Sequence, residues 1–247
     1  MSATTSGIPM ADAAESPGIA ATLLIIAKAP IAGFAKTRLT PPFSPHEAAQ
    51  LAAASLLDTL SAARNSGVRR RMVAWTGDLS RAERSDELAS ALEEFDIVPQ
   101  RGDTFGQRLA NAHADAFRLG LPVLQIGMDT PQAGPALLAV SASLLLECGD
   151  AVLGPAADGG WWALGLTDPR PARTLAEVPM STDRTGELTR EALCRCGCRV
   201  RRLPILTDVD TVTDALTVAQ EYRGRFPQTV ERLQRAHALP LGSPVPV

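Results

Sequence analysis

The sequence predicts an α/β fold with a mostly parallel central sheet and helices on both faces. Three observations carry this expectation. Short apolar runs such as Thr22-Leu-Leu-Ile-Ile-Ala-Lys28 and Val123 to Ile126 lack the alternation of a half-exposed sheet, so they read as strands buried on both faces. These runs alternate with helical patterns through most of the chain. Charged residues then collect just beyond the strands, where open α/β sheets bind ligands.

The chain has 247 residues, 45% of them hydrophobic, which is enough for a sizeable core. Residues 1–20 read as a disordered leader, rich in Ala, Ser, Thr, Gly and Pro and without the basic start of a signal peptide. A single domain is expected over residues 21–226, followed by a C-terminal helix and loose tail over 227–247. Lys and Arg number 24 against 27 Asp and Glu, a net charge of −3, with no basic stretch long enough to track a nucleic acid. The run Ile19 to Ala27 is too short to span a bilayer, and no later run is longer without a polar break, so a soluble, cytoplasmic protein is expected. In Cys194-Arg-Cys196-Gly-Cys198 the thiols are spaced too closely for the usual structural zinc site. Cys148 is remote and no histidine is close, so reduced cysteines are expected.

The first strand, Thr22 to Lys28, runs into the loop Ala29 to Arg38. There Gly33 supplies a special backbone angle and Lys28, Lys36 and Arg38 supply charge for a phosphate, although a solvated basic loop would look the same. A Walker loop would need glycines where Pro30 and Ala35 stand, and no G-x-G-x-x-G follows the strand. Ser44-Pro-His-Glu47 is a capping box that opens an Ala/Leu helix to about Arg64. Strands are expected at Arg71–Thr76 and Phe95–Pro99, with a helix around 86–93 between them. Thr104 to Gln107 caps a helix to Leu119, whose stripe is Leu109, Ala112, Ala116 and Leu119.

Next comes a strand from Val123 that should end at Asp129, where Pro131 forbids further ladder pairing. Asp129 reads either as a turn former or as a ligand-binding carboxylate. A helix over 135–147 and a strand over 150–155 lead to Asp158-Gly-Gly-Trp-Trp162. This is a tight turn followed by two tryptophans that must face opposite ways. A helix from about Thr185 to Cys196, a strand over 199–206 and a helix capped by Thr211 and Asp214 follow. Asp208 and Asp210 stand just before the last of these, where acids also serve the helix dipole. If the cations and acids converge, their chemistry is that of a hard divalent cation, Mg²⁺ or Mn²⁺, and a polyphosphate.

These motifs carry a resemblance over about residues 22–220. Lys28-Ala-Pro with Gly33 and Lys36-Thr-Arg-Leu39, Phe105-Gly-Gln-Arg-Leu109, Gly127-Met-Asp-Thr-Pro131, Gly154 to Trp162 and Asp208-Val-Asp-Thr211 resemble the ordered motifs of one bacterial family. That family is grouped with GT-A glycosyltransferases and assigned as nucleotide-diphospho-sugar transferases. The phospholactate guanylyltransferases are a related group that shares the first and last motifs but lacks the Gly-Pro-x-x-Asp-Gly-Gly segment.

The resemblance implies a GT-A fold and a metal-dependent transferase using a nucleotide-diphospho-sugar donor and a small-molecule acceptor. The alternatives it leaves are nucleotidyl transfer from a nucleoside triphosphate to a phosphorylated acceptor, and a catalytically silent nucleotide-binding protein. It implies nucleotide contacts from Lys28, Gly33, Lys36, Arg38 and Arg108, and a metal held by Asp129 and Asp210. Asp129 and Asp158 would be the catalytic acids, with Asp158 as general base. Gly127 stands where the first Asp of the family's Asp-x-Asp motif is usual, so Asp129 should need substrate phosphates to hold its metal. Trp161-Trp162 and Met180 replace the usual tyrosines and tryptophan, which points to a changed acceptor pocket.

Overall fold

A computed structural model describes residues 18–237. The expected leader up to residue 17 and the tail from 238 lie outside the described residues. Seven strands form one sheet: β1 (Ile19–Lys28), β2 (Val68–Thr76), β3 (Asp96–Pro99), β4 (Val123–Gly127), β5 (Ala151–Pro155), β6 (Trp161–Leu166) and β7 (Val200–Arg202). The helices are α1 (Pro45–Arg64), α2 (Ser85–Leu92), α3 (Phe105–Phe117), α4 (Pro135–Cys148), α5 (Thr185–Arg195), α6 (Val212–Glu221) and α7 (Arg225–Ala236).

The strand order is β3-β2-β1-β4-β6-β5-β7, and only β6 runs against its neighbours. The α/β expectation with helices on both faces therefore holds. On one face Leu56 and Leu60 of α1, Leu88 of α2 and Leu138 of α4 pack with Leu23 and Ile25 of β1. On the other, Leu109, Ala112 and Ala116 of α3 pack with Leu24 of β1 and Val123 of β4. β1 needs apolar side chains on both faces because it lies in the interior of the sheet between β2 and β4.

Boundaries differ from expectation where tertiary contacts decide them. β1 starts at Ile19, inside the expected leader, because Ile19 N–H donates to Gly67 O at 2.8 Å. The expected domain end at 226 falls within α7, whose Phe226, Val230 and Leu233 pack with Leu51 of α1 and Val218 of α6. α1 is thus apolar all round because it is covered twice, by the sheet and by α6 and α7. The strand expected over 199–206 is ordered as a ladder only through Arg202. Pro204 cannot donate, and pairing resumes as a single bridge between Leu206 and Ala156.

Three expected capping boxes are formed, by Ser44 with Glu47, Thr104 with Gln107 and Thr211 with Asp214. Each satisfies helix-end N–H groups and contributes about 1 kcal/mol. No helix among the described residues is long and apolar enough to cross a membrane.

Candidate functional site

The carboxyl ends of β1 and β4 open into a cleft of about 630 Å³. Because β6 is antiparallel, its first residue, Trp161, emerges at this same edge, and the β5–β6 turn brings Asp158 with it. β4 ends at Gly127, and Asp129 lies two residues further on in a bend. The segment after β7 is tied to the same edge. Ala157 N–H donates to Leu206 O at 2.9 Å and Val209 N–H donates to Asp129 O at 2.9 Å, which carries Asp208 and Asp210 to Asp129.

Lys36 stands at the centre. It adopts the left-handed region at φ 54, uncommon for a lysine, in the turn before a short 3-10 segment. Its side chain is 7% exposed, and its ammonium lies 2.6 Å from Asp129 Oδ1 and 3.5 Å from Asp210 Oδ1, also donating to Val209 O. Burial pulls the Lys36 pKa down, but the carboxylates of Asp129 and Asp210 outweigh it and the net shift is upward, so the ammonium stays charged. Asp129 therefore acts as more than a turn former: its carboxylate faces the cation. Arg38 Nη1 donates to Asp210 Oδ2 at 2.9 Å from a largely exposed position.

The acids outnumber these cations. Burial, with the charges of Asp129 and Asp158, pushes the Asp208 carboxyl up to about 7, and Lys36 offsets only part of this. Such an acid-rich, oxygen-only donor set has the chemistry that attracts a hard cation, and in that sense it fits Mg²⁺ or Mn²⁺. Among the described residues, however, no three His, Cys, Asp or Glu side chains enclose a metal position, and the Lys36 ammonium itself bridges Asp129 and Asp210.

Of the residues singled out from sequence, Lys28, Lys36, Arg38, Asp129, Asp158 and Asp210 all line the cleft. Lys28 also lies over the Phe34 ring at 5.7 Å. Two do not line it. Gly33 has the expected positive φ, 76, but sits exposed in the turn. Arg108 is half-buried beside Phe105, its guanidinium 5.8 Å from the ring centre. The tryptophans divide as expected: Trp162 is buried and donates to Pro204 O at 2.9 Å, whereas half-buried Trp161 donates to Thr189 Oγ1 at 3.1 Å on the opposite face.

The far wall of the cleft combines Asp158 and Trp161 with Met180, Ser181, Thr182 and Asp183 at the entry to α5; the resemblance had pointed to Met180, whereas Ser181, Thr182 and Asp183 were missed. Gly159, at φ 88, lets this segment approach, since a Cβ there would meet Asp183 O at 1.8 Å. Gln125 on the cleft floor was also missed. A polar residue inside an otherwise apolar strand was the available signal.

A mostly parallel seven-stranded sheet with helices on both faces and a cleft at its carboxyl edge makes the fold GT-A-like α/β. The chain belongs to the family described as an uncharacterized protein conserved in bacteria (DUF2064), matched over residues 59–182. A Desulfovibrio desulfuricans G20 protein provisionally described as a nucleotide-diphospho-sugar transferase superposes with a TM-score of 0.74 at 24% identity, over 88% of this chain and 96% of that one. A cytidylyltransferase from Leptospira borgpetersenii serovar Hardjo-bovis matches at 0.52 and 10% identity, over 92% and 99% of the two chains. The homologue of Mycobacterium tuberculosis Rv0371c from Mycobacterium sp. strain JC1 matches at 0.51 and 17%, over 87% and 99%. These likenesses are of fold. No sequence match was found among curated proteins.

Proposed function

We propose that the protein is a transferase using a nucleotide-diphospho-sugar donor. The observation that carries this is the confinement of the cleft's cations to one side. Its three lining cations, Lys28, Lys36 and Arg38, all come from the end of β1 and the turn after it, whereas the far wall offers Asp158, Asp183, Ser181, Thr182 and Trp161. A diphosphate suits the first half, and an uncharged, hydroxylated group suits the second. The far-wall residues that line the cleft include no cation for an acceptor phosphate, which favours sugar transfer over nucleotidyl transfer to a phosphorylated acceptor.

In this reading Lys28 and Arg38 donate to phosphate oxygens, and Lys36 keeps Asp129 and Asp210 in place and supplies positive charge beneath the phosphates. Asp158 Oδ1 accepts from Gly160 N–H at 2.8 Å, which orients the carboxylate and leaves Oδ2 to take a proton from the acceptor hydroxyl. Mg²⁺ or Mn²⁺ held by Asp129 and Asp210 would offset negative charge on the leaving diphosphate. Incubation with panels of nucleotide sugars and of nucleoside triphosphates, each with Mg²⁺ or Mn²⁺, tests the reading. Nucleoside diphosphate release that Asp129→Ala abolishes is expected. Pyrophosphate release with a phosphorylated acceptor would replace it with nucleotidyl transfer, and binding without turnover would leave a silent nucleotide-binding protein.

A further inference from the structure

The three cations that line the cleft are held differently. Lys36 lies between Asp129 and Asp210, and Arg38 donates to Asp210, so carboxylates offset part of their charge. The Lys28 ammonium makes no ion pair and no hydrogen bond among the described residues, and lies instead over the Phe34 ring, 5.7 Å from its centre. That is within the range at which the negative face of an aromatic ring attracts a cation. Phe34 is 47% exposed, which alone would be ordinary for a loop residue. Its placement is specific. Gly33, at φ 76, reverses the chain, and the Phe34 and Ala35 N–H groups both donate to Ile31 O, at 2.9 and 3.1 Å. Gly77, at φ 94, gives the ring its seat at the end of β2, since a Cβ there would meet Phe34 Cε1 at 3.3 Å and Ala29 Cβ at 2.8 Å.

A lysine side chain is long and loses much rotamer freedom when a ligand fixes it. A carboxylate partner would hold it beforehand, but would also neutralise its charge and occupy its donors. An aromatic face attracts the ammonium and leaves its N–H groups for another acceptor. An arriving phosphate then meets a cation already in place and still unneutralised. We propose that Phe34 is a positioning residue, which holds the Lys28 ammonium ready for a phosphate of the bound nucleotide, and that Gly33 shapes the turn that returns the ring to it. This gives a part in the site to a glycine and a phenylalanine that do not line the cleft themselves. The inference rests on the reading above in which Lys28 donates to phosphate oxygens.

Calorimetric titration with UDP, GDP, ADP and dTDP in the presence of Mg²⁺ tests it, in the wild type, Phe34→Leu, Phe34→Tyr, Lys28→Met and the double variant Phe34→Leu with Lys28→Met. Phe34→Leu keeps an apolar side chain but removes the ring, and should weaken the preferred diphosphate about 3- to 5-fold. Phe34→Tyr keeps the ring face and should bind within about 1.5-fold of the wild type. In the Lys28→Met background Phe34→Leu should change the affinity by less than about 1.5-fold, because the ring acts only through the ammonium. By NMR the Lys28 ε-methylene protons of the ligand-free protein should be shifted upfield by the ring current and return to their ordinary position in Phe34→Leu. Both residues are exposed, so the Tm of each variant should stay within about 2 °C of the wild type. Equal losses in the two backgrounds would mean that the ring touches the nucleotide itself, and unchanged or tighter binding by Phe34→Leu would mean that the ring holds Lys28 away from it. Either result overturns the proposal and leaves the transferase reading intact. If the wild type binds none of the four diphosphates, the transferase reading fails and takes this inference with it.

Discussion

Asp208→Asn should leave the protein about as stable as the wild type near pH 4 and make it progressively more stable than the wild type up to pH 7. The Asp208 carboxyl, ordinarily at 3.8, is pushed up to about 7 by burial and by the charges of Asp129 and Asp158. The folded protein thus keeps a proton that the unfolded chain has already released. Stability contributed by the protonated acid is complete below about pH 4 and is lost as pH rises through about 7. At about 1.4 kcal/mol for each tenfold change in proton affinity, the rise corresponds to a ceiling of about 4 kcal/mol. Water enters the open cleft and the neighbouring acids share the titration, so about 2 kcal/mol is the expected gap at pH 8. In a chain of this length that is about 4–8 °C in Tm. Urea unfolding of both proteins at half-unit steps from pH 4 to pH 8 measures it, since groups common to both cancel in the difference. Millimolar Mg²⁺ should narrow the gap at pH 8, because a cation among the acids stabilises the ionised wild type. A gap that stays constant with pH, or a variant less stable than the wild type at pH 8, would refute the picture of a surplus buried carboxylate.

Two further outcomes follow from the structure. Asp58 is buried and accepts from Tyr222 Oη at 3.0 Å and from the Arg225 and Phe226 N–H groups at 3.0 and 2.9 Å, so Asp58→Ala should cost about 2–3 kcal/mol by urea unfolding. Nucleotide affinity should not change, which separates the α7 cap from the cleft. Lys36→Met frees Asp129, leaves Asp210 to Arg38 and removes the buried donor to Val209 O, so urea unfolding should show a stability cost of about 2–3 kcal/mol. Paramagnetic resonance should show Mn²⁺ binding more tightly to this variant than to the wild type in the absence of nucleotide. Equal Mn²⁺ affinity would mean that the Lys36 ammonium does not compete for that position.

Properties that depend on local chemistry were legible in the sequence. The apolar runs at 22–28 and 123–126, the three capping boxes and the Asp-Gly-Gly turn each satisfy their own backbone or burial demand within a few residues, so their spacing declares them. The same holds for the cations and acids after the strands, which a mostly parallel sheet gathers at one edge. Other features depended on residues far apart in sequence. That α7 belongs to the main core follows from Phe226, Val230 and Leu233 meeting Leu51, and that β6 inserts between β4 and β5 follows from its pairing with β4, about 40 residues back. Lys36 pairs with Asp129, 93 residues away, because β1 and β4 are neighbours, and with Asp210, 174 residues away, because Val209 is hydrogen-bonded to the backbone of Asp129. Arg108 and Gly33 sit within suggestive motifs, yet neither lines the cleft. The sequence by itself thus determined the sheet, its caps and the chemical types of the site. Tertiary structure decided which of those groups meet, because charge coupling depends on distance and burial, and neither is a property of any single segment.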